Sequence, residues 1–286
     1  MKELKKTSSQ NLIEVIKFNK EREPFSNSKV YNSALRAGAS FSLAKQISLE
    51  IENEIYDGIQ TAEIFKKVKD KLREKDIQLS MRFSLKEGIR RLGPEGFLFE
   101  DFTKKILSNY CLTIKEGNIV SGKCGRYEID FLGENNENFL IGECKYRNSH
   151  NSRIDINVSL KSFAILEDIE RGNTFLNKKL RSFIVTNTKF TKDAIKYSNC
   201  KGIKLLGWKY PLKRGLERLI EEKKLYPITI LPALTKYIFA IFQKEGILLA
   251  REVLDVDIDK LSKSASISKA SLEKIRNQAD ILINKR

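Results

Sequence analysis

The chain has little of what membranes, secretion and structural metals require. None of its 286 residues falls in an apolar run near the roughly 20 residues that span a bilayer. The first ten, MKELKKTSSQ, lack the apolar core of a secretory signal. There is one histidine, His150, and the four cysteines (Cys111, Cys124, Cys144 and Cys200) are too widely spaced for a paired CxxC. A zinc knuckle or a disulfide framework is therefore not expected, and the composition suits a reducing cytoplasm. No membrane partner is expected.

Acidic residues are also in deficit. Lysine and arginine number 53 against 37 aspartates and glutamates, a formal charge of +16. The excess is spread: 19 basic to 13 acidic over residues 1–92, 19 to 14 over 93–212, and 15 to 10 over 213–286. An even excess suits a polyanion met by a broad folded surface as well as it suits a merely soluble basic protein. With 41% hydrophobic residues the chain can build real cores, and its length allows two or three domains.

The most informative stretch is Tyr127 to Arg147, YEIDFLGENNENFLIGECKYR. Two apolar runs, Glu128–Leu132 and Phe139–Tyr146, flank a cluster of turn formers from Gly133 to Asn138, which predicts strand, turn, strand. Alternation on a strand puts Glu143 and Lys145 on one face and Cys144 on the other. Asp130, on the neighbouring strand, can meet that pair across the sheet. Charges are costly to bury without a task, so this convergence predicts a catalytic site. A structural Glu143–Lys145 ion pair is the alternative.

Read in order, residues 1–10 form a solvated tail and 11–92 a first domain. A strand at Leu12–Lys17 leads to a charged turn, a helix from near Lys29 capped by Ser26 or Ser28, and a second helix from Ser42 to Ile55. Thr61 is expected to cap a third, and a last helix covers Leu79 to Leu92. VIKFNKEREPFSNSKVYNSALRAGAS followed by IYDGIQTAEIFKKV resembles the ATP-cone, the nucleotide-sensing module of many ribonucleotide reductases and of the repressor of their genes. The resemblance implies that Lys17 and Lys29 contact phosphates, that Glu23 and Thr61 help hold ATP or dATP, and that Val15, Val30 and Ile64 line the base or sugar pocket. The family's arginine after the first strand is absent, leaving Lys20 and Arg22 as the nearest substitutes. On the residues alone, this is a small helical domain with surface lysines.

Gly93-Pro94-Glu95-Gly96 marks the next boundary. Helix, three strands, helix, strand, helix, strand follow, an α/β plan with a mixed sheet. Glu100 in the first helix, Asp130 ending a strand and Glu143-Cys144-Lys145 in the next resemble the PD-(D/E)xK superfamily, and within it the Mrr-like restriction endonucleases, over residues 93–212. Phosphodiester hydrolysis needs an activated water and neutralised phosphoryl oxygens. Asp130 and Glu143 are hard ligands for Mg²⁺ or Mn²⁺, with the Cys144 carbonyl a further ligand and Glu100 either an outer ligand or the partner of a second metal. Lys145 would orient the attacking water. The glutamine many Mrr-like proteins carry after this motif is missing, and Arg153, Lys161 or Asn157 stand as DNA-contacting replacements.

Residues 213–286 read as a small all-α domain. Its Lys244-Glu245-Gly246-Ile247 turn resembles a helix-hairpin-helix, with helical packing or dimerisation as the alternative. The expected whole is a multidomain chain, a mostly helical cone (α+β), a restriction-endonuclease-like mixed sheet flanked by helices (α/β), and the helical end. Its expected partners are double-stranded DNA, an adenine nucleotide and a second copy of itself in a homo-oligomer. A nucleotide-responsive DNA-binding regulator without catalysis is the rival reading.

Overall fold

The computed structural model describes residues 13–93, 96–110, 112–115, 119–135, 138–149, 152–172 and 179–285. The expected N-terminal tail, Leu12 and His150 lie outside them. The chain divides into two compact units, Met1–Ser84 and Leu85–Arg286.

In the first unit, β1 (Glu14–Ile16) lies between antiparallel β2 (Arg22–Pro24) and parallel β3 (Ile59–Gln60). Helices α1 (Asn27–Arg36), α2 (Phe41–Glu54), α3 (Thr61–Lys75) and α4 (Ile77–Phe83) carry the rest. Apolar residues at helical spacing, Ala44, Ile47 and Ile51 on α2 and Ile64, Val68 and Leu72 on α3, close over the sheet in one core. Ser26 holds the cap position of α1, but its hydroxyl meets that of Ser28 instead of a backbone amide. Gln60, not Thr61, precedes α3, so Thr61 is its first helical residue. The single helix expected over Leu79–Leu92 is two. Ser84 bonds back to the Ser80 carbonyl and ends α4, and α5 (Leu85–Arg90) begins the second unit. The boundary thus precedes the Gly93 break.

The second unit continues with α6 (Phe97–Ser108), β4 (Thr113–Lys115), β5 (Ile119–Ser121), β6 (Arg126–Glu128), β7 (Phe131–Glu134), β8 (Asn138–Lys145), β9 (Arg153–Ile154), α7 (Ile156–Arg171), β10 (Lys179–Thr186), β11 (Lys189–Phe190), α8 (Lys192–Lys201) and β12 (Lys204–Leu206). Five strands form the expected mixed sheet in the order β12-β10-β8-β7-β4. β8, β10 and β12 are parallel, while β7 and β4 run antiparallel to their neighbours. The strand expected over Glu128–Leu132 is interrupted. β6 turns away to pair with β5, and Asp130 sits at a bend before β7. On one face of the sheet, Leu132 and Ile141 pack with Leu166 and Ile169 of α7.

The C-terminal residues belong to this same compact unit. α9 (Leu216–Glu222), a 3₁₀ turn at Ile228–Ile230, α10 (Lys236–Lys244), a second 3₁₀ turn at Ala250–Asp255, α11 (Ile258–Ala265) and α12 (Lys269–Asn284) complete it. Lys105 of α6 pairs with Glu252 at 2.5 Å, Arg251 reaches Asn109 at 2.9 Å, and Tyr110 donates to the Leu219 carbonyl at 2.8 Å. The buried Thr229 hydroxyl donates to the Gly88 carbonyl of α5 at 2.6 Å. The helix expected around Leu248–Leu254 is the second 3₁₀ turn.

Gly142 sits opposite Phe131 across the β7–β8 pair. A Cβ there would fall within the Phe131 ring, which is fully buried and edge-on to Phe183 at 6.0 Å. Gly142→Ala is expected to destabilise the fold by about 1–3 kcal/mol through overpacking, measured as a lowered urea midpoint.

Candidate functional site

The C-terminal end of β8 gathers most of the chemistry. Thr186, at the end of β10, donates its hydroxyl to the Lys145 carbonyl at 2.6 Å, and Asn187 bonds both backbone groups of Arg147 at 2.9 Å. The strand end is held from the side, so the residues on it have fixed positions. Thr186, Asn187 and Thr188 are all buried. Three consecutive polar residues directly after the apolar run Phe183–Val185 were the signal for this clamp, and sequence reasoning passed over it.

Asp130 is anchored to the same strand. Its backbone N–H donates to the Gly142 carbonyl at 3.2 Å, and its Oδ2 accepts the Cys144 N–H at 2.5 Å. Glu143 pairs with Lys145, the two side chains 15% and 31% exposed. Alternation from Ile141 puts both on the α7 face of the sheet. Cys144 is buried on the opposite face, and burial pushes its thiol well above the ordinary value. It is a core residue with no nucleophilic character. Glu100, in the first turn of α6, is within electrostatic reach of Asp130 and Lys145.

The charges are unbalanced. Burial raises the Asp130 carboxyl, the Cys144 N–H works against that, and the charge of Glu143 adds to it. Burial also raises Glu100, with Asp130 as the next cause. One lysine faces three carboxylates. A divalent cation would offset the excess, and Asp130 and Glu143 present the hard oxygens Mg²⁺ takes from proteins. No group of three or more His, Cys, Asp or Glu side chains among the described residues is arranged as a metal cage. A magnesium ion held by one or two carboxylates does not require one.

Arg153 and Lys161 are both exposed. Arg153 is on β9, in register with Lys189 of β11, and Lys161 is midway along α7. Asn157 stands in the first turn of α7, its N–H taken by the capping Asp155 at 2.9 Å. Sequence reasoning also missed Tyr146. Its ring lies 5.7 Å from that of Phe99, and its hydroxyl donates to the Arg90 carbonyl at 2.6 Å.

In the first unit, Glu23 stands between the two lysines, 2.9 Å from Lys17 and 2.9 Å from Lys29. These two contacts hold its carboxyl below the usual range, Lys17 first. Arg22 is occupied by Glu14 and Asp57 at 2.6 Å each, so it is not placed to substitute for the missing arginine. Lys20 occupies a left-handed turn position and is exposed. Val15, Val30 and Ile64 are buried in the core of the unit, and Thr61 opens α3 beside β3.

At the other end of the chain, the Lys244–Ile247 turn is a helix stop, with Gly246 left-handed and the Ile247 N–H returning to Phe242. Ser266 repeats that geometry after α11, with the Ile267 N–H returning to Ser262. A cavity of about 340 Å³ beside the first turn is lined by Glu245, Glu252, Asp255 and Asp257, with Lys260 the one cation. That lining disfavours phosphate. No helix among the described residues is long and apolar enough to cross a membrane.

Residues 13–85 match the ATP cone domain family, and the first unit carries that domain. An uncharacterised protein of Archaeoglobus fulgidus is 34% identical over 183 residues, which cover 62% of this chain and 98% of that protein. A crystal structure of AF1548, a protein of unknown function, superposes with a TM-score of 0.56 at 30% identity, covering 66% of this chain and 99% of the other. The cone match is about a quarter of the chain. Both likenesses therefore extend into residues outside it.

The raised Asp130 carboxyl has a consequence for stability. A carboxyl whose folded value lies above its unfolded one stabilises the fold fully below the unfolded value of about 4 and loses that contribution as pH rises through the folded one. Asp130→Asn, which keeps an acceptor for the Cys144 N–H, should therefore melt a few degrees above the wild type at neutral pH. The difference should close below pH about 4, as followed by circular dichroism.

Proposed function

We propose that this chain, which belongs to the same family as the uncharacterised Archaeoglobus fulgidus protein, is a metal-dependent DNA endonuclease governed by an adenine nucleotide on its ATP cone. The observation that carries the nuclease reading is Asp130 anchored on the Cys144 amide beside the Glu143–Lys145 pair, with Glu100 in electrostatic reach. Asp130 and Glu143 would hold the ion, which neutralises phosphoryl charge and activates water when bound. The protein's own part is to fix the two carboxylates on a clamped strand end. Lys145, paired with Glu143, would meet a phosphate oxygen or the attacking water. Double-stranded DNA is the proposed substrate, a polyanion with which the net charge of +16 is compatible, and the expected homo-oligomer belongs with the nucleotide control.

For the cone, the Lys17–Glu23–Lys29 chain supports nucleotide binding. Two cations meet on one carboxylate at a half-exposed edge, and a polyphosphate can replace that carboxylate as their partner. A second reading keeps the cone and the DNA and drops the catalysis. The observation favouring it is the pairing of Lys145 with a carboxylate the metal would use. An Asp130→Ala, Lys145→Ala double variant separates them, because a regulator keeps its function without those side chains.

Supercoiled plasmid with Mg²⁺, with and without ATP, is the direct test. Nicking or linearisation is expected from the wild type, and Lys145→Ala should lower the rate by about 10²–10³. No cleavage under any metal or nucleotide would remove the nuclease reading. Separately, Lys17→Ala should weaken binding of a fluorescent ATP analogue about tenfold, roughly 1.4 kcal/mol, with the plasmid-binding affinity unchanged in the absence of nucleotide.

A further inference from the structure

Between the end of α5 and the start of α10 the second unit has a solvent-open cavity of about 270 Å³, with Arg91, Asn148, Thr235 and Lys236 exposed on its walls. Arg90, Arg91 and Lys236 line it with Asn148, Thr235 and Phe239, and no lining residue is acidic. The contrast with the unit's other cavities is sharp. The one beside the Gly246 turn carries four carboxylates, and another, of about 390 Å³, carries Asp257, Asp259 and Glu273 against Lys269 and Arg276. Glu87 takes one arm of Arg90, at 2.9 Å. Among the described residues, Arg91 and Lys236 have no acidic partner, although the chain offers 37 acidic side chains.

We propose that this cavity holds a backbone phosphate of the bound DNA strand, close to the phosphate that is cut. Three lines support the occupant. Arg91 and Lys236, which have no acidic partner among the described residues, form a site for an anion beside Arg90, which already pairs with Glu87, and the planar guanidinium fork of Arg91 matches phosphate oxygens. The volume is below the roughly 300 Å³ where pockets for whole small molecules begin, which suits a phosphate group with part of its sugar. The cavity is also tied to the candidate active site by a direct linkage. Tyr146 follows Lys145 in the chain, donates to the Arg90 carbonyl at 2.6 Å, and lies 2.8 Å from Asn148 Oδ1. Arg90 and Asn148 are both cavity residues, so the rim of the cavity is hydrogen-bonded to the residue that follows Lys145. A strand whose phosphate enters here would be held in register against Asp130, Glu143 and Lys145. The DNA occupant rests on the nuclease reading; the anion site rests on its own lining.

The test measures duplex binding by fluorescence anisotropy in EDTA, where no cleavage occurs, on the full chain across a series of salt concentrations. Arg91→Gln with Lys236→Gln should lose about tenfold or more in affinity, and the slope of log affinity against log salt should fall by about one, for the one phosphate no longer neutralised. The melting temperature should not change, and Arg91→Lys with Lys236→Arg should restore most of the binding. An unchanged affinity and slope in the glutamine variant would overturn the proposal. So would a loss of thermal protection by inorganic phosphate with duplex binding intact, which would assign the cavity to a small phosphorylated compound. If duplex binding falls as expected but the wild type cuts no DNA, the nuclease reading fails and the phosphate site stands. If the wild type cuts DNA and the variant binds as tightly, the reverse holds.

Discussion

The second unit's chemistry depends on one joint, the carboxylate of Asp130 against the amide of Cys144. An acceptor this buried is expensive unless it is bonded, and the bond in turn fixes where β7 starts. Because Asp130 sits at a bend and not within a strand, its side chain is free to turn toward β8 while its own amide bonds Gly142. Gly142 completes the joint from the other side: with no side chain it lets the Phe131 ring lie against the strand. The residues that bring the charges together are thus a bend and a glycine, flanked by the charged residues themselves.

The two units handle surplus charge in opposite ways. In the cone, Lys17 and Lys29 are matched by Glu23, and Arg22 by Glu14 and Asp57. An exposed network of this kind adds little stability, so it can be exchanged for phosphate at small loss. In the second unit the carboxylates outnumber their cation at the β8 end, while in the cavity by α5 and α10 Arg91 and Lys236 have no acidic partner among the described residues. Matched charge is suited to exchange; unmatched charge is suited to capture.

How much of this the sequence disclosed varies with the distance between partners. The strands around Asp130 and Glu143, the sheet and the cone's helices were legible, because periodicity and turn residues are local signals. The interruption between β6 and β7 was not: the alternation of Glu128–Leu132 is continuous, and only the pairing of Arg126–Glu128 with Ile119–Ser121 pulls it apart. Nor was the division at Ser84. Gly93-Pro94 is the stronger local break, but the packing of Gly88 beneath Thr229, 141 residues later, decides to which unit α5 belongs. The cavity by α5 and α10 was invisible for the same reason, Lys236 lying far along the chain from the adjacent Arg90 and Arg91.

The placement of α5 also dictates how the protein can be dissected. A fragment begun at the glycine break would lack Leu85 to Arg90, leaving the Thr229 and Tyr146 hydroxyls without the carbonyls they bond and uncovering Ile230. The six residues immediately after the cone therefore serve the other unit. Recombination that shuffles ATP cones among proteins would have to cut at Ser84 to leave both halves whole.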